Sequence, residues 1–146
     1  MNIHMNKEQY AVLIKIIYLG NWMINAIRAE NQVKKYDEIE SFILSFAKEA
    51  GMDTCVHYDP QEKIFYPSEE LAESPEIRKY IDEYDNDTFW SELIHRLARR
   101  DFIRSCGADA VMKMPVEERI EKEHPFTERY EKEFKKSGVD NLEIKE

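Results

Sequence analysis

The chain is poor in the residues that make tight turns and covalent staples. It has 4 glycines and 5 prolines in 146 residues, too few for the many turns of an all-β domain. Its two cysteines, Cys55 and Cys106, cannot form a disulfide scaffold and read as reduced thiols. Residues 1–9 are polar and lack the basic start and small-residue cleavage site of a secretory leader. The longest apolar run, residues 10–27, approaches the minimum length for crossing a bilayer. It carries Lys15, Asn21 and Asn25 on one side, as an amphipathic helix in water would. Together these absences point to a cytoplasmic chain that neither enters nor crosses a membrane.

Positive charge is scarce too. With 21 basic and 30 acidic residues the net charge is −9, which excludes a general nucleic-acid binder, since phosphate backbones demand many cations. The charge is uneven: residues 68–92 hold nine acidic and two basic side chains, and residues 93–113 hold two acidic and five basic ones.

What is present is helical patterning. The spacing predicts a mainly α fold of about five helices packed around a central N-terminal helix, with a small β-hairpin near residues 54–66. It reads as one domain over 1–146, with 139–146 a frayed tail. Asn6 and Gln9 form a capping-box pair for a first helix over 7–30. Val12, Leu13, Ile16, Ile17, Leu19, Met23, Ile24, Ala26 and Ile27 fill one half of its wheel, predicting that this half is the core face. Gly20 lies within that half, where it weakens the helix and suits the close approach of another backbone.

A second helix is expected over 38–50, started by Asp37 and Glu40 and ended by Gly51. Hairpin signals follow at 54–58 and 64–66 around Asp59-Pro60. Ser68 and Ser74-Pro75 read as helix starts. Separate helices are expected over 75–84 and from 86–87 to about 105, the latter with an apolar arc of Phe89, Trp90, Leu93, Ile94, Leu97 and Ala98. A last helical region begins near Pro115, and Pro125 predicts a kink or a break into two helices.

Several patterns could carry chemistry. Glu92 and His95, with Glu121 and His124, repeat the Glu-x-x-His spacing of helical di-iron sites. The first pair falls on the solvent side of its helix, and His124 precedes a proline. The run from Asp82 to Asp87 fails the calcium-loop pattern at Trp90 and Arg96. Cys55, His57 and Asp59 would share one face of a strand and are metal-ligand types, but no second cluster completes a site. No cofactor is expected.

Two features stand out further. Arg100 and Arg104 could receive an anion. More simply, Asp101 and Arg104 form a partly buried structural ion pair one turn apart. On the first helix, Tyr18, Asn21, Asn25 and Arg28 share roughly 80° of arc at ~100° per residue, with Trp22 at their border. That polar, aromatic stripe suits a small ligand or a protein partner, or else an inter-helix hydrogen-bond network. With no catalytic constellation and 17 aromatic side chains, the expectation is a non-enzymatic interaction or regulatory protein that binds a protein partner, most simply a second copy of itself. The alternative is a small enzyme or ligand-binding protein that recognises an anionic metabolite through Arg, Tyr and Asn.

Overall fold

The computed structural model describes residues 3–144. It is mainly helical: six helices and one antiparallel hairpin lie among the described residues. Contacts gather the chain into two compact units, Met1–Glu83 and Tyr84–Glu146.

The first unit opens with α1, Lys7–Asn25. The expected capping box is present. The Asn6 side chain accepts from the Gln9 backbone N–H at 2.8 Å, and Gln9 Oε1 accepts from the Asn6 N–H at 3.0 Å. The helix ends at Asn25 rather than near residue 30, because the Asn25 side chain takes over the role of a turn. Its Oδ1 accepts from the backbone N–H of Val33 at 2.9 Å, folding the chain back on itself.

Helix α2 covers Lys34–Leu44, beginning four residues before the predicted start. Asp37 is therefore not its cap; it lies in the first turn, and its carboxylate bonds to α1 instead. Residues 45–51 form turns rather than further helix, ending at Gly51 with φ +65°. That left-handed conformation favours glycine, and Lys7 Nζ donates to the Gly51 carbonyl at 2.9 Å.

The hairpin appears where expected, as β1 (Val56–Asp59) and β2 (Ile64–Pro67). His57 faces Tyr66 and Tyr58 faces Phe65 across the ladder. A lone hairpin is marginal in water; this one is held on α2 by the Phe65 N–H, which donates to Ser41 Oγ at 2.8 Å. Its Val56 and Phe65 pack on the buried cluster of Tyr10, Ile14, Leu44, Ala47 and Leu71. Ser68 caps the short α3, Glu69–Ala72, with its Oγ accepting from the Leu71 N–H at 3.3 Å.

Helix α4 runs unbroken over Pro75–Cys106. The expected division at Asn86-Asp87 is not there. Polar side chains cap a helix only where the backbone already turns, and along residues 82–89 every side chain is solvent-exposed and demands no turn. Near its start α4 buries Ile77 and Ile81.

The second unit holds the later turns of α4, then α5 (Ala108–Lys113) and α6 (Val116–Ser137). Gly107, at φ +84°, ends α4, and α5 is an extra helix that the sequence pattern did not predict. Helix α6 continues through Pro125, so of the expected kink or division into two helices, the division does not occur. Proline removes a single backbone donor, and the aromatic side chains that follow it stay on the core face. Phe126 meets Phe102 at 5.9 Å between ring centroids, and Phe134 meets Trp90 at 5.6 Å. These contacts run in antiparallel order along α4 and α6. Ala98, Phe102, Val111 and Phe134 form the buried core, whereas Phe89 of the predicted arc is 52% exposed. The expected tail is turn and irregular chain from 138 to 144. Its last two residues, like the first two of the polar N-terminus, lie outside the described residues.

Candidate functional site

Helix α1 presents two faces, and their assignment reverses the expectation. The polar and aromatic stripe is the face turned toward α2. Asn25 is 7% exposed, and Tyr18, Asn21, Trp22 and Arg28 are half-buried. Much of the half that reads as core is open: Val12 is 55% exposed, Ile16 59%, Met23 54% and Ile27, in the turn after the helix, 86%, while Leu13, Ile17, Leu19 and Ile24 are half-buried.

Hydrogen bonding explains the reversal. Asn21 Nδ2 donates to Asp37 at 3.0 Å and to Glu40 at 2.8 Å. Asn25 Nδ2 donates to Asn21 Oδ1 at 2.8 Å and to Asp37 at 3.1 Å. Tyr10 donates its hydroxyl to the Ile43 carbonyl at 2.8 Å. The amides of α1 thus mate with the carboxylates of α2. Among the described residues no buried side-chain polar atom lacks a partner, which is the condition under which a polar interface is tolerated. Burial raises the Glu40 carboxyl to about 7, against the hydrogen bond from Asn21 that lowers it, and nearby Asp37 adds to the rise. Burial also raises the Tyr18 hydroxyl. Arg28, just past the end of α1, donates to the Ile24 carbonyl rather than to a carboxylate. Of the stripe, Asn21 and Asn25 are thus engaged with Asp37 and Glu40 of α2.

In the second unit, Asp101 collects donors. It accepts from Arg100 at 2.8 Å, from Arg129 at 2.6 Å and from the Tyr130 hydroxyl at 2.5 Å. The Arg100 hydrogen bond, with those from Tyr130 and Arg129, holds its carboxyl down at about 2. Arg104 is a minor member, 3.7 Å from Asp101 with its side chain 70% exposed; the partly buried Asp101–Arg104 pair is instead a latch from Asp101 to α6. Arg129 escaped the sequence reading, because its part depends on knowing that α6 lies against α4. Arg100 is engaged by Asp101 and Tyr130, which leaves Arg100 and Arg104 poorly arranged as a joint anion site.

A basic groove lies beside this latch. His95, Arg96, Arg99, Arg119, Ile103 and Ile120 line an open cavity of about 700 Å³. Arg99 pairs with Glu123 there at 2.7 Å.

At the hairpin, Cys55 belongs to a short 3-10 turn before β1 and packs half-buried on the core. It therefore does not share a strand face with His57 and Asp59. Asp59 is occupied in the turn, accepting from the backbone N–H groups of Gln61 and Glu62 at 2.7 and 3.2 Å. Among the described residues no group of three or more His, Cys, Asp or Glu could hold a metal ion, and no helix is long and apolar enough to cross a membrane. No protein-family model, curated protein or solved structure matches this chain.

Proposed function

We propose that this protein is a non-enzymatic interaction module that associates with a second copy of itself through the outward face of α1. The observation that carries this is the row Val12, Ile16, Met23 and Ile27, four large apolar side chains each more than half exposed. Val12, Ile16 and Met23 span about 16 Å along α1 at ~1.5 Å per residue, and Ile27 follows in the turn after the helix. Exposed apolar side chains in line, rather than scattered, mark contact surfaces. Two chains of net charge −9 repel, so they meet best through a face that carries none, and this row carries none. Ile39, Phe42 and Phe46 on α2 add a further exposed apolar face. The reading takes the protein to be cytoplasmic, where Cys55 and Cys106 stay as thiols.

Light scattering after size exclusion tests it. The expected result is a dimer mass that falls toward the monomer on dilution, and a monomer at every concentration for Ile16→Asp/Met23→Asp. A monomeric native chain throughout would remove the proposal.

A second reading draws on the basic groove of the second unit. Its cations beside Ile103 and Ile120 suit a small anionic metabolite with an apolar portion. A thermal-shift screen of phosphorylated and carboxylated metabolites tests it, because a ligand specific for the native state raises the midpoint. Loss of any such shift in Arg99→Ala and Arg119→Ala would locate the ligand in this groove.

A further inference from the structure

Helix α1 is fastened to its unit in two unlike ways. Its first half is pinned by apolar burial: Ile14 is fully buried and Tyr10 nearly so, in one cluster with Leu44, Ala47 and Leu71. The Tyr10 bond to the Ile43 carbonyl and the Lys7 bond to the Gly51 carbonyl add to that hold. Beyond Ile14 the single buried residue of the helix is Asn25. The second half, with the turn to Val33, is therefore held mainly by the seam of amides and carboxylates. Gly20 stands between the two fastenings. Glycine weakens a helix relative to alanine, and nothing in the chain requires one here. A Cβ built at Gly20 meets no atom within 4 Å, and its φ lies outside the left-handed region.

The seam has no positive charge of its own. The two Asn21 Nδ2 hydrogens are divided between Asp37 and Glu40, and those of Asn25 between Asn21 Oδ1 and Asp37. Asp37 thus receives two donors, whereas Glu40, 8% exposed, receives one. Lys15 pairs with Glu76 and Arg78 with Glu73, and no ion pair among the described residues reaches either seam carboxyl. Strand β2, which meets α2 at Ser41, carries no charged side chain. Beside Glu40 on α1, burial raises the Tyr18 hydroxyl, Arg78 lowers it, and Glu73 and Glu40 raise it. A second negative charge in this seam would face Asp37 one turn away with no cation to offset it.

We propose that residues 20–25 of α1, together with the turn over 26–33, form a proton-controlled flap: it stays on α2 while Glu40 carries its proton, and it opens about Gly20 when Glu40 ionises. Opening gives both carboxylates access to water and leaves the Tyr10–Ile14 end in place. Desolvation sets the direction. Burial raises the Glu40 carboxyl to about 7, the Asn21 bond opposes that rise, and Asp37 adds to it. The flap is therefore held most firmly below the ordinary value of 4.5 and is released as pH rises through about 7.

Hydrogen exchange read by mass spectrometry on the full chain tests this, with rates corrected for the intrinsic effect of pH. Between about pH 5 and pH 8.5, protection over residues 21–33 is expected to fall roughly 100-fold, the ratio set by a carboxyl near 7 when closed and 4.5 when open. Residues 8–14 should keep their protection. Glu40→Gln retains an acceptor and never ionises, so its protection should stay high at both pH values. Gly20→Ala should raise protection over 21–33 about 5-fold at both, with the ratio unchanged. In a Trp90→Phe background the half-buried Trp22 is the sole indole, and acrylamide should quench it more readily as pH rises through about 7. Equal protection of residues 21–33 at the two pH values, or unchanged quenching of Trp22, overturns the flap. So does a pH effect that survives in Glu40→Gln. An equal fall over residues 8–14 means that the unit opens as a whole, which overturns the local release. An unaltered Gly20→Ala removes Gly20 as the pivot.

Discussion

The two units solve the same problem in opposite ways. In Met1–Glu83, amides and carboxylates lie between helices and large apolar side chains face outward. In Tyr84–Glu146, phenylalanines fill the interior and the charged latch around Asp101 sits at its rim. The two carboxyls that define these arrangements have moved in opposite directions. Burial raises Glu40 to about 7, and arginine hydrogen bonds lower Asp101 to about 2. A carboxyl placed between helices thus stores destabilisation that appears on ionisation, whereas one placed at a rim gains from being charged.

The largest test of this contrast is in the aromatic core. Phe102 is fully buried, so Phe102→Ala is expected to cost about 3–5 kcal/mol in urea unfolding. Asn25→Ala should cost less, about 2–3 kcal/mol, by leaving the Val33 N–H without its acceptor and Asp37 short of a donor. An Asn25→Ala cost near zero would mean that the polar seam does not hold α1 to α2.

Acid titration sharpens the comparison. The Glu40 carboxyl favours its proton in the folded state. Its contribution is therefore fully present below the usual value of 4.5 and is lost as pH rises through about 7. Thermal melts at pH 5 and pH 8 should differ by about 2 kcal/mol from this source, and Glu40→Gln should abolish that difference. Asp101 behaves in reverse. It stabilises above its usual 3.8, and that contribution is lost as pH falls toward 2. Because the surrounding arginines are well exposed, screening leaves it about 1 kcal/mol, read as weaker acid sensitivity below pH 4 in Asp101→Asn.

Much of the second unit was legible from spacing alone. Trp90, Leu97 and Ala98 fall on the face their periodicity assigns. In the first unit the N-terminal cap, the hairpin and the Ser68 cap were likewise readable. What failed was the orientation of α1. A helical wheel separates two faces but does not say which one goes inside. That choice was made by Asp37 and Glu40 on α2, whose match to Asn21 and Asn25 needs the crossing of two helices to be known. Sequence reading also saw a helix start at Asn86-Asp87 and allowed a division at Pro125, because it weighs local preference without the tertiary contacts that override it. Within the stripe of Tyr18, Asn21, Trp22, Asn25 and Arg28, the inter-helix hydrogen-bond network that the sequence suggested is carried by Asn21 and Asn25.

The solvated middle of α4 has its own consequence. Asp82 and Asp85 stand one turn apart, as do Glu83 and Asp87, and the only ion pair reaching these four among the described residues is Lys79 to Glu83 at 3.8 Å. Like charges at that spacing oppose the helix, and no apolar burial offsets them there. This stretch should therefore behave as an ionic-strength gauge. Its backbone amides are expected to exchange with deuterium fastest at low salt and to slow as added salt screens the acidic ladder.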